Sequence, residues 1–422
     1  MAELIKLATI LHMEKGKKPI AQAKDSLEGY LPYVDIKAFE RGIVDNYASV
    51  NKSLLCEDGD LLIVCDGSRS GLTGYAIKGV VGSTLSKISA DGLNTKYLRY
   101  FIQSKYSLLN TRKKGTGTPH LDANILKESM IAVPSPLEQE RIVSRIEELF
   151  SQLDASVAEL TTAKERLRVY RQAVLKEAFE GRYSRAWRKN HPEYSPQNDL
   201  DSIKFTEPIF KDTSGDENEI CLSLPETWVK VRLGEVFEVE VGATPSRQKT
   251  EYWNGEIPWV SSGEVHFDTI SQTNEFITQE GLKHASTNIQ PVGTVMLAMI
   301  GEGKTRGQAA LLNVEAAHNQ NTAAILVSKT SCEPKYVYYF LMLNYENTRR
   351  VGSGNNQKAL NKERVRALRF PFTSFEEQSL IVQEIESRLS VCDSIQKTVD
   401  TALQQVEALR QSILKKAFEG KL

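Results

Sequence analysis

The sequence predicts an α+β protein in which two α/β domains alternate with two long helices that pack on each other as a coiled coil. The first observation is a repeat, because the stretch Leu137–Gly181 returns near the end of the chain, where Glu377 matches Glu138 and Gly420 matches Gly181. Both matches are 239 positions apart, so the two copies align without a gap. Each copy follows prolines, which disfavour helix in the residue before them and suit a helix start. The repeat therefore predicts two helices of the same kind and length.

A seven-residue period of apolar side chains is the second observation. It runs through Leu153, Leu160, Leu167 and Val174 in the first copy and through Cys392, Val399, Val406 and Ile413 in the second. A strict seven-residue repeat keeps one apolar line facing a partner helix. We therefore expect the two helices to pack on each other. The alternative is two unrelated amphipathic helices that each dock on their own domain.

Length, charge and cysteine usage limit the class of protein. A chain of 422 residues is too long for one ordinary core, so two or three domains are expected. Its 53 basic and 54 acidic residues balance, so a nucleic-acid surface would have to be a local concentration of Lys and Arg. The five cysteines form neither a disulfide framework nor a zinc site. Since the most apolar segment, Val292–Ile300, is too short to span a bilayer, we expect a soluble cytoplasmic protein without a membrane partner.

The chain divides into five segments. Residues 1–136 form the first domain, with strands expected at 31–34, 60–64 and 75–77 and a helix around 96–102. The first long helix occupies residues 137–181 and ends at Gly181, a typical helix stop. Residues 182–224 are polar and are expected to form a loop-like linker. Residues 225–373 form the second domain, and residues 374–422 form the second long helix.

The second domain repeats the first at low similarity but in the same order. Ile257–Val260 corresponds to Leu31–Val34, and Lys335–Phe340 corresponds to Lys96–Phe101. Between them, Pro291–Leu297 corresponds to Glu57–Ile63. The helices are thus well matched and the domains are diverged, a pattern that predicts a constant scaffold presenting two different binding domains.

One segment resembles a phosphate-binding loop. Ala298-Met-Ile-Gly-Glu-Gly-Lys-Thr305 fits a relaxed form of that pattern with alanine in place of the first glycine. A phosphate loop needs a strand before it and a helix after it, so that backbone N–H groups surround the phosphates. Gly307 stands where the helix would begin, and the corresponding loop of the first domain has no Gly-Lys pair. We therefore favour a basic hairpin loop over a nucleotide site.

No other pattern in the chain indicates catalysis. The six histidines form no ligand-spaced cluster, and no serine lies in a nucleophile-elbow context. A Pro-Pro pair of the kind that follows Asn or Asp in amino-methyltransferases does not occur. The sequence therefore favours a binding protein over an enzyme.

The chain resembles the specificity subunits of type I restriction-modification enzymes over essentially its whole length. The resemblance lies in the tandem layout, in the helix openings that begin at Leu137 and Phe375, and in Lys176-Glu-Ala-Phe-Glu-Gly-Arg-Tyr-Ser-Arg-Ala-Trp-Arg188. In the second domain, Gly242-Ala-Thr-Pro-Ser-Arg247, Tyr252-Trp253 and Ile257-Pro-Trp-Val260 resemble one common recognition-domain subtype. The first domain lacks the Gly-Thr-Pro-Ser stretch, so its subtype and target are not indicated.

The resemblance implies a pseudo-twofold arrangement of two target-recognition domains joined by antiparallel helices. Each domain would read one half of a bipartite site on double-stranded DNA, and the helices would hold the halves at a fixed spacing. Two modification subunits, which bind S-adenosylmethionine and methylate adenine, would dock on this chain. Restriction subunits using ATP and Mg would join them to cleave DNA. This chain itself would carry no catalytic residue, cofactor or metal.

Basic residues near turns are the candidate DNA contacts, because Arg and Lys can reach phosphates and guanine edges. They are Arg69, Arg112, Lys113 and Lys114 in the first domain and Lys304, Arg306, Arg349, Arg350 and Lys358 in the second. Taken singly, each is more often a solvated surface charge. Two other functions stay open: a nucleotide-dependent enzyme built around Gly303-Lys304-Thr305, and a coiled-coil adaptor without DNA binding.

Overall fold

The structure is a computed structural model that describes residues 3–111, 119–203, 221–301, 303–350 and 360–422, with Arg350 described by its backbone alone. It is mixed α+β, which confirms the predicted class, and it divides into two compact units. Unit 1 comprises Met1–Ala163 and Thr398–Leu422, and unit 2 comprises Lys164–Lys397. Each long helix is therefore shared between the units. Within the described ranges, no helix is both long and apolar enough to cross a membrane.

The helices and strands follow one another in mixed order along the chain. The helices are α1 (Ile36–Arg41), α2 (Thr95–Ser104), α3 (Tyr106–Thr111), α4 (Ala123–Lys127), α5 (Pro136–Phe179), α6 (Arg185–Asn190), α7 (Pro196–Ser202), α8 (Leu233–Val236), α9 (Gln279–His284), α10 (Pro334–Leu343), α11 (Tyr345–Arg350), α12 (Lys362–Ala367) and α13 (Phe375–Phe418). The strands are β1 (Leu4–Lys6), β2 (Leu11–Lys15), β3 (Gln22–Ala23), β4 (Tyr30–Val34), β5 (Tyr47–Ser49), β6 (Leu55–Cys56), β7 (Leu61–Val64), β8 (Thr73–Tyr75), β9 (Gly79–Val81), β10 (Leu85–Ala90), β11 (Met130–Ala132), β12 (Val229–Arg232), β13 (Val239–Val241), β14 (Trp253–Val260), β15 (Asp268–Ile270), β16 (Glu275–Ile277), β17 (Val295–Ala298), β18 (Ala309–Leu312), β19 (Ala317–His318), β20 (Thr322–Ile325) and β21 (Arg369–Phe372).

Unit 1 is built on a four-stranded antiparallel sheet in the order β2-β10-β7-β8. A second sheet, β3-β5-β4-β9-β6, contains one parallel pair, β4 with β9. The short pair β1-β11 leads the chain into α5. The residues of β7 are all buried because they lie between two apolar clusters, with alternate side chains packing into each.

Unit 2 has the corresponding sheets. The central one has the order β13-β20-β17-β18-β15, and it is antiparallel except for the pair β15-β18. A smaller sheet, β16-β14-β19, again pairs its β14 in parallel with a short strand. Pairing of β12 with β21 leads the chain into α13. The predicted correspondence of Leu31–Val34 with Ile257–Val260 is therefore one between β4 and β14, each with one parallel and one antiparallel neighbour.

The two long helices end in the same way and dock on their units through the same kind of contact. Gly181 and Gly420 have φ angles of 66° and 69°, which glycine adopts without a Cβ penalty, and the helices close there. In unit 2, Phe179 packs on the rings of α10, with centroids 4.9 Å from Tyr336 and 5.6 Å from Phe340. These contacts attach the last turns of α5 to the central core of unit 2.

The expectation that residues 182–224 form a loop is wrong for the described part of that segment, which contains α6 and α7. Ser195 caps α7 by accepting from the N–H of Gln197, and Pro196 fits the first helical turn. Leu200 packs against the core of unit 2. Helices of six or seven residues are too short to reveal a period in the sequence, so the polar composition concealed them.

Candidate nucleic-acid interface

In each unit, several loops meet at one end of the central sheet, where neighbouring strands begin or terminate. In unit 2 the antiparallel pairing places the end of β13, the end of β17 and the start of β20 together, with Val241 opposite Ala323 and Ala298 opposite Thr322. The loops that follow or precede these strand ends are residues 242–249, 299–308 and 319–321. In unit 1 the same logic brings the end of β2, the end of β7 and the start of β10 to one edge. We call these loop-bearing ends of the sheets the hairpin edges, after the β17-β18 and β7-β8 hairpins whose loops lie there.

The hairpin of unit 2 presents Lys304 to solvent and is held from behind by α11. The Tyr345 hydroxyl donates to the Lys304 carbonyl at 2.6 Å, and Arg349 Nη2 donates to the Gly303 carbonyl at 2.5 Å. Arg306 is buried and its Nη2 donates to the Arg349 carbonyl at 2.9 Å. Of these three basic residues, Lys304 is exposed, whereas Arg306 and Arg349 hold the loop.

This hairpin does not have the geometry of a phosphate-binding loop. After the loop, the chain enters β18, which pairs antiparallel with β17 through Leu297 and Ala309. A phosphate loop requires a helix at that point, since the helix N-terminus and its N–H groups bind the phosphates. The arrangement therefore supports the basic-hairpin interpretation and removes the structural basis for a nucleotide site at Gly303-Lys304-Thr305.

The hairpin of unit 1 is held in the same manner by α3. Asn110 Nδ2 donates to the carbonyls of Ser68 at 2.9 Å and Ser70 at 3.2 Å. Asn110 and Arg349 are 239 positions apart, so these two loop-holding residues occupy matching places in the repeat. Arg69 lies at the exposed tip and forms an ion pair with Glu40 of α1.

Lys15 and His120 also lie at the hairpin edge of unit 1, where both contact Asp66. Asp66 accepts from Lys15 Nζ at 2.9 Å and from His120 Nδ1 at 2.7 Å, while about half of the Lys15 and His120 side chains stays exposed. Burial by itself would raise the pKa of Asp66, but the hydrogen bonds from Lys15 and His120 outweigh it and lower the pKa. Asp66 thus stays ionised and holds the Lys15 and His120 side chains at the same edge as Arg69.

The structure brings only some of the predicted contact residues together. Lys304, Arg306 and Arg349 form one cluster in unit 2, and Arg69 stands at the matching place in unit 1. Arg112, Lys113, Lys114 and Lys358 lie outside the described residues, and so does the side chain of Arg350. Lys15 and His120 were not predicted, because their partner Asp66 is distant from both in sequence. The only sequence signal was the position of Lys15 immediately before a glycine.

The motif that marks the second domain forms one packed structure beside the unit 2 hairpin edge. Trp259 Nε1 donates to the Ala243 carbonyl and Trp253 Nε1 donates to the Ser246 carbonyl, both at 3.2 Å. The guanidinium of Arg247 lies 3.7 Å from the centroid of the Trp253 ring and forms an ion pair with Glu275. The residues of the motif therefore fix the loop 242–249. In the part of the chain that the structure covers, no group of three His, Cys, Asp or Glu residues is placed to hold a metal.

The chain is similar to type I restriction enzyme specificity subunits. It is 24% identical to the MjaVIII specificity subunit of Methanocaldococcus jannaschii, over 100% of this chain and 92% of that protein. It is also 24% identical to the EcoBI specificity subunit of Escherichia coli, over 93% of this chain and 80% of that protein.

Solved structures share the fold at low identity. A chain from a study of complex assembly and conformational transition in the type I R-M system matches with a TM-score of 0.70 and 17% identity, over 100% of this chain and 98% of that one. The HsdS subunit from Thermoanaerobacter tengcongensis matches with a TM-score of 0.52 and 17% identity, over 100% of this chain and 97% of that one. The family profile described as the type I restriction modification DNA specificity domain matches residues 2–164 and 225–405. With most of its length in those two matches, the chain belongs to the type I restriction-modification DNA specificity family.

Proposed function

We propose that this chain is the sequence-specific DNA-binding subunit of a type I restriction-modification complex. Each unit reads one half of a bipartite site through its hairpin edge. The observation that carries the proposal is a basic side chain at the exposed tip of the matching hairpin in both units: Arg69 in unit 1, which also pairs with Glu40, and Lys304 in unit 2. Lysine and arginine at loop tips supply the phosphate contacts that position a protein on a duplex. The loops around them differ between the units, as two readers of different sequences require.

A tandem pseudo-twofold repeat is supported by contacts that recur 239 positions apart. Gln139 Oε1 accepts from the Asn94 N–H at 2.7 Å, and Gln378 Oε1 accepts from the Glu333 N–H at 3.0 Å. Other contacts that recur with this offset are Lys96–Glu147 with Lys335–Glu386, and the packing of Phe418 on Tyr97 and Phe101 with that of Phe179 on Tyr336 and Phe340. One way of docking a helix on a domain is thus used twice, with domains that otherwise differ.

Ion pairs on the long helices support an antiparallel coiled coil. Within unit 1, Asp154 near the middle of α5 pairs with Arg410 near the end of α13. Within unit 2, Arg171 near the end of α5 pairs with Asp393 of α13 at 2.6 Å. Asp393 is 239 positions after Asp154, and Arg410 is 239 positions after Arg171, so the two pairs are counterparts. In both, an earlier part of one helix meets a later part of the other, as antiparallel packing requires.

Two modification subunits are the partners we propose for the outer face of these helices. Five large apolar residues of these helices each have between 45% and 61% of their surface exposed: Val169, Tyr170, Val391, Ile395 and Leu409. Exposed apolar side chains that adjoin one another, as Val169 and Tyr170 do in the sequence, support an interaction surface. Because the relatives of this chain are specificity subunits, we assign methyl transfer and its S-adenosylmethionine to those subunits. Restriction subunits would bring cleavage, with ATP and Mg.

Domain exchange tests this function. Replacing residues 1–136 with the first domain of another family member should change one half of the methylated motif and leave the other half and the spacing unchanged. The readout is a map of methylated adenines in cells that carry each version together with its modification subunit. If both halves change together, the two units do not read separate half-sites. A chain that methylates DNA alone, with S-adenosylmethionine supplied, would contradict the non-catalytic role.

A further inference from the structure

The turn 319–321 of unit 2 presents one exposed carboxamide at the hairpin edge. This turn, Asn-Gln-Asn, joins β19 to β20, and the Met299 N–H at the base of the hairpin donates to the Asn321 carbonyl at 2.9 Å. Asn319 is buried, and its Oδ1 accepts from the Asn321 N–H at 3.0 Å, so it maintains the turn. Gln320 is exposed at the apex. The Asn319 carboxamide is therefore buried and hydrogen-bonded, the Asn321 residue is partly buried, and the Gln320 carboxamide faces solvent.

The side chain of Gln320 is oriented by its neighbour in the loop 242–249. The Thr244 hydroxyl donates to Gln320 Oε1 at 2.5 Å. That loop is fixed in turn, because Trp259 Nε1 donates to the Ala243 carbonyl and Gly242 lies against β19. A Cβ at Gly242 would lie 1.9 Å from the His318 carbonyl oxygen, so only glycine permits this approach. Holding a side chain in place before binding reduces the ordering entropy that binding costs.

Gln320 has the hydrogen-bonding groups that recognise adenine. Its Oε1 keeps a second lone pair after accepting from Thr244, and its Nε2 has no partner among the residues that the structure describes. A glutamine carboxamide can pair with the major-groove edge of adenine, where the oxygen accepts from N6 and the nitrogen donates to N7. Lys304 in the loop 299–308 is exposed, and a lysine at such a position can contact a phosphate.

The matching turn of unit 1 has different chemistry. There the Cys65 N–H donates to the Thr84 carbonyl at 2.8 Å, the counterpart of the bond from Met299 to Asn321. The turn itself is Gly82-Ser83-Thr84, and the Ser83 N–H donates to the Tyr33 hydroxyl at 3.3 Å. The two units thus keep the backbone contact and change the side chains at the same place. A position that determines which base is read would vary in this way.

We propose that Gln320 is a specificity-determining residue of unit 2 that reads an adenine, and that Thr244 is its positioning residue. The inference rests on the proposed function, namely that the unit 2 hairpin edge faces DNA. Beyond that function, the proposal names the residue that contacts the base, Gln320, and the base itself, adenine. Gln320→Ala should lower the preference for adenine at one position by roughly 5- to 150-fold, the equivalent of about 1–3 kcal/mol. Gln320→Glu replaces the donor by an acceptor, so the preference there should move towards cytosine, whose N4 donates.

The test is a selection from a pool of randomised duplexes, performed at one salt concentration with the full chain in complex with its modification subunit, followed by sequencing of the bound DNA. The half-site of unit 2 is the half that exchange of residues 1–136 leaves unchanged. Thr244→Val should relax the same adenine position less than Gln320→Ala does. The matched control is Gln272→Ala, which changes an exposed glutamine just after β15. Because β15 runs parallel to β18, which starts at the hairpin edge, β15 terminates at the other end of the strands, away from the hairpin edge.

The outcomes separate the inference from the function on which it rests. An adenine position that relaxes in Gln320→Ala and shifts in Gln320→Glu, with Gln272→Ala unchanged, supports the inference. A motif that is unchanged in both Gln320 variants, while Lys304→Ala weakens binding, overturns the inference and leaves the proposed function standing. The absence of any enriched sequence with the unmodified chain overturns both. If Gln320→Ala does not fold, Gln320→Glu and Thr244→Val decide the matter.

Discussion

Lys304 and Arg306 are close in sequence, but their side chains have different surroundings. Lys304 is exposed, whereas Arg306 is buried and donates to the carbonyl of Arg349. The sequence predicted a basic hairpin at this position, and the structure has one. It could not predict which cation faces solvent, because that depends on α11, which packs behind the loop from elsewhere in the chain.

These surroundings predict different results for the two alanine variants. Lys304→Ala should weaken DNA binding evenly across sequences and reduce the salt slope by about one, since it removes one phosphate contact. Its melting temperature should not change. Arg306→Ala should instead lower the free energy of unfolding by roughly 1–3 kcal/mol, because a buried hydrogen-bonding partner is lost. Titrations at several salt concentrations, with thermal melts of the same samples, distinguish the two. An unaltered salt slope in Lys304→Ala would remove this residue from the interface.

His318 gives unit 2 a dependence on pH. Burial lowers its pKa from 6.5 to about 4, against the opposing effect of the nearby Glu240 carboxylate. The unfolded chain therefore binds more protons than the folded one between these values, so stability is lost as the pH falls through this range. Between pH 7 and pH 5 the loss should be about 2 kcal/mol.

Urea unfolding followed by tryptophan fluorescence measures this effect, because all four tryptophans lie in unit 2. His318→Gln should flatten the difference in unfolding free energy between pH 5 and pH 7. His284→Gln, at an exposed histidine in α9, should leave that difference as it was. Equal pH dependence in the parent chain and His318→Gln would show that this imidazole is not the cause.

At the scale of elements, the long helices were the most predictable part of the fold. The predicted first helix, 137–181, agrees with α5 to within about two residues at both ends, whereas the predicted second helix, 374–422, continues about four residues past the end of α13. The short helices α6 and α7 were missed, and with them the partial burial of Arg188. This residue lies in a stretch that reads as basic and solvated, yet its Nη1 donates to Glu377 Oε1 at 2.6 Å. A long-range partner of this kind leaves no local pattern in the sequence.

Glu377 and its counterpart Glu138 provide a matched pair for testing that network. The Glu377 carboxylate is buried and accepts from Arg188, from Trp228 Nε1 at 2.9 Å and from Thr373. Glu377→Ala leaves the half-buried Arg188 cation without this partner, so unfolding should become easier by roughly 3–5 kcal/mol. Glu138 occupies the same helix position in unit 1, but 40% of its side chain is exposed and it pairs with Arg141 of its own helix.

We therefore expect Glu138→Ala to leave the urea midpoint nearly unchanged, whereas Glu377→Ala lowers it clearly. Circular dichroism at the helical band suits both variants, since the long helices extend through both units. Similar midpoints for the two variants would mean that the buried network does not stabilise the docking of α6 on α13.

At the scale of the whole molecule, the tandem order of domain and helix stays a prediction, and it rests on repetition within one sequence. The predicted mixed α+β class and the predicted family are both confirmed. The residues that contact DNA could not be ranked in the same way, because the loops are where the two domains diverge. Repetition identifies the scaffold, and only the fold shows which loop side chains share an edge with the hairpins.

The last prediction concerns the proposed role of the helices in setting the half-site spacing. A heptad of helix is about 10.5 Å long, and B-DNA advances about 3.4 Å per base pair, so one heptad corresponds to roughly three base pairs. The residues to delete are Leu160–Arg166 and Val399–Gln405, because they match in the repeat and keep both the Asp154–Arg410 and Arg171–Asp393 ion pairs. Removing whole heptads also keeps the apolar seam in register.

With this double deletion, the half-site sequences should persist while the gap between them shrinks by up to about three base pairs, less if the helices are tilted against the DNA. Mapping of methylated adenines measures the gap directly. Deleting only Leu160–Ala163 and Val399–Ala402 is the control, because four residues break the seven-residue period and should impair folding or assembly with the modification subunits. This control shortens both helices and also puts the apolar residues of the seven-residue repeat out of register. A folded, active double-heptad deletion that still methylates the original spacing would show that the helices do not set the distance.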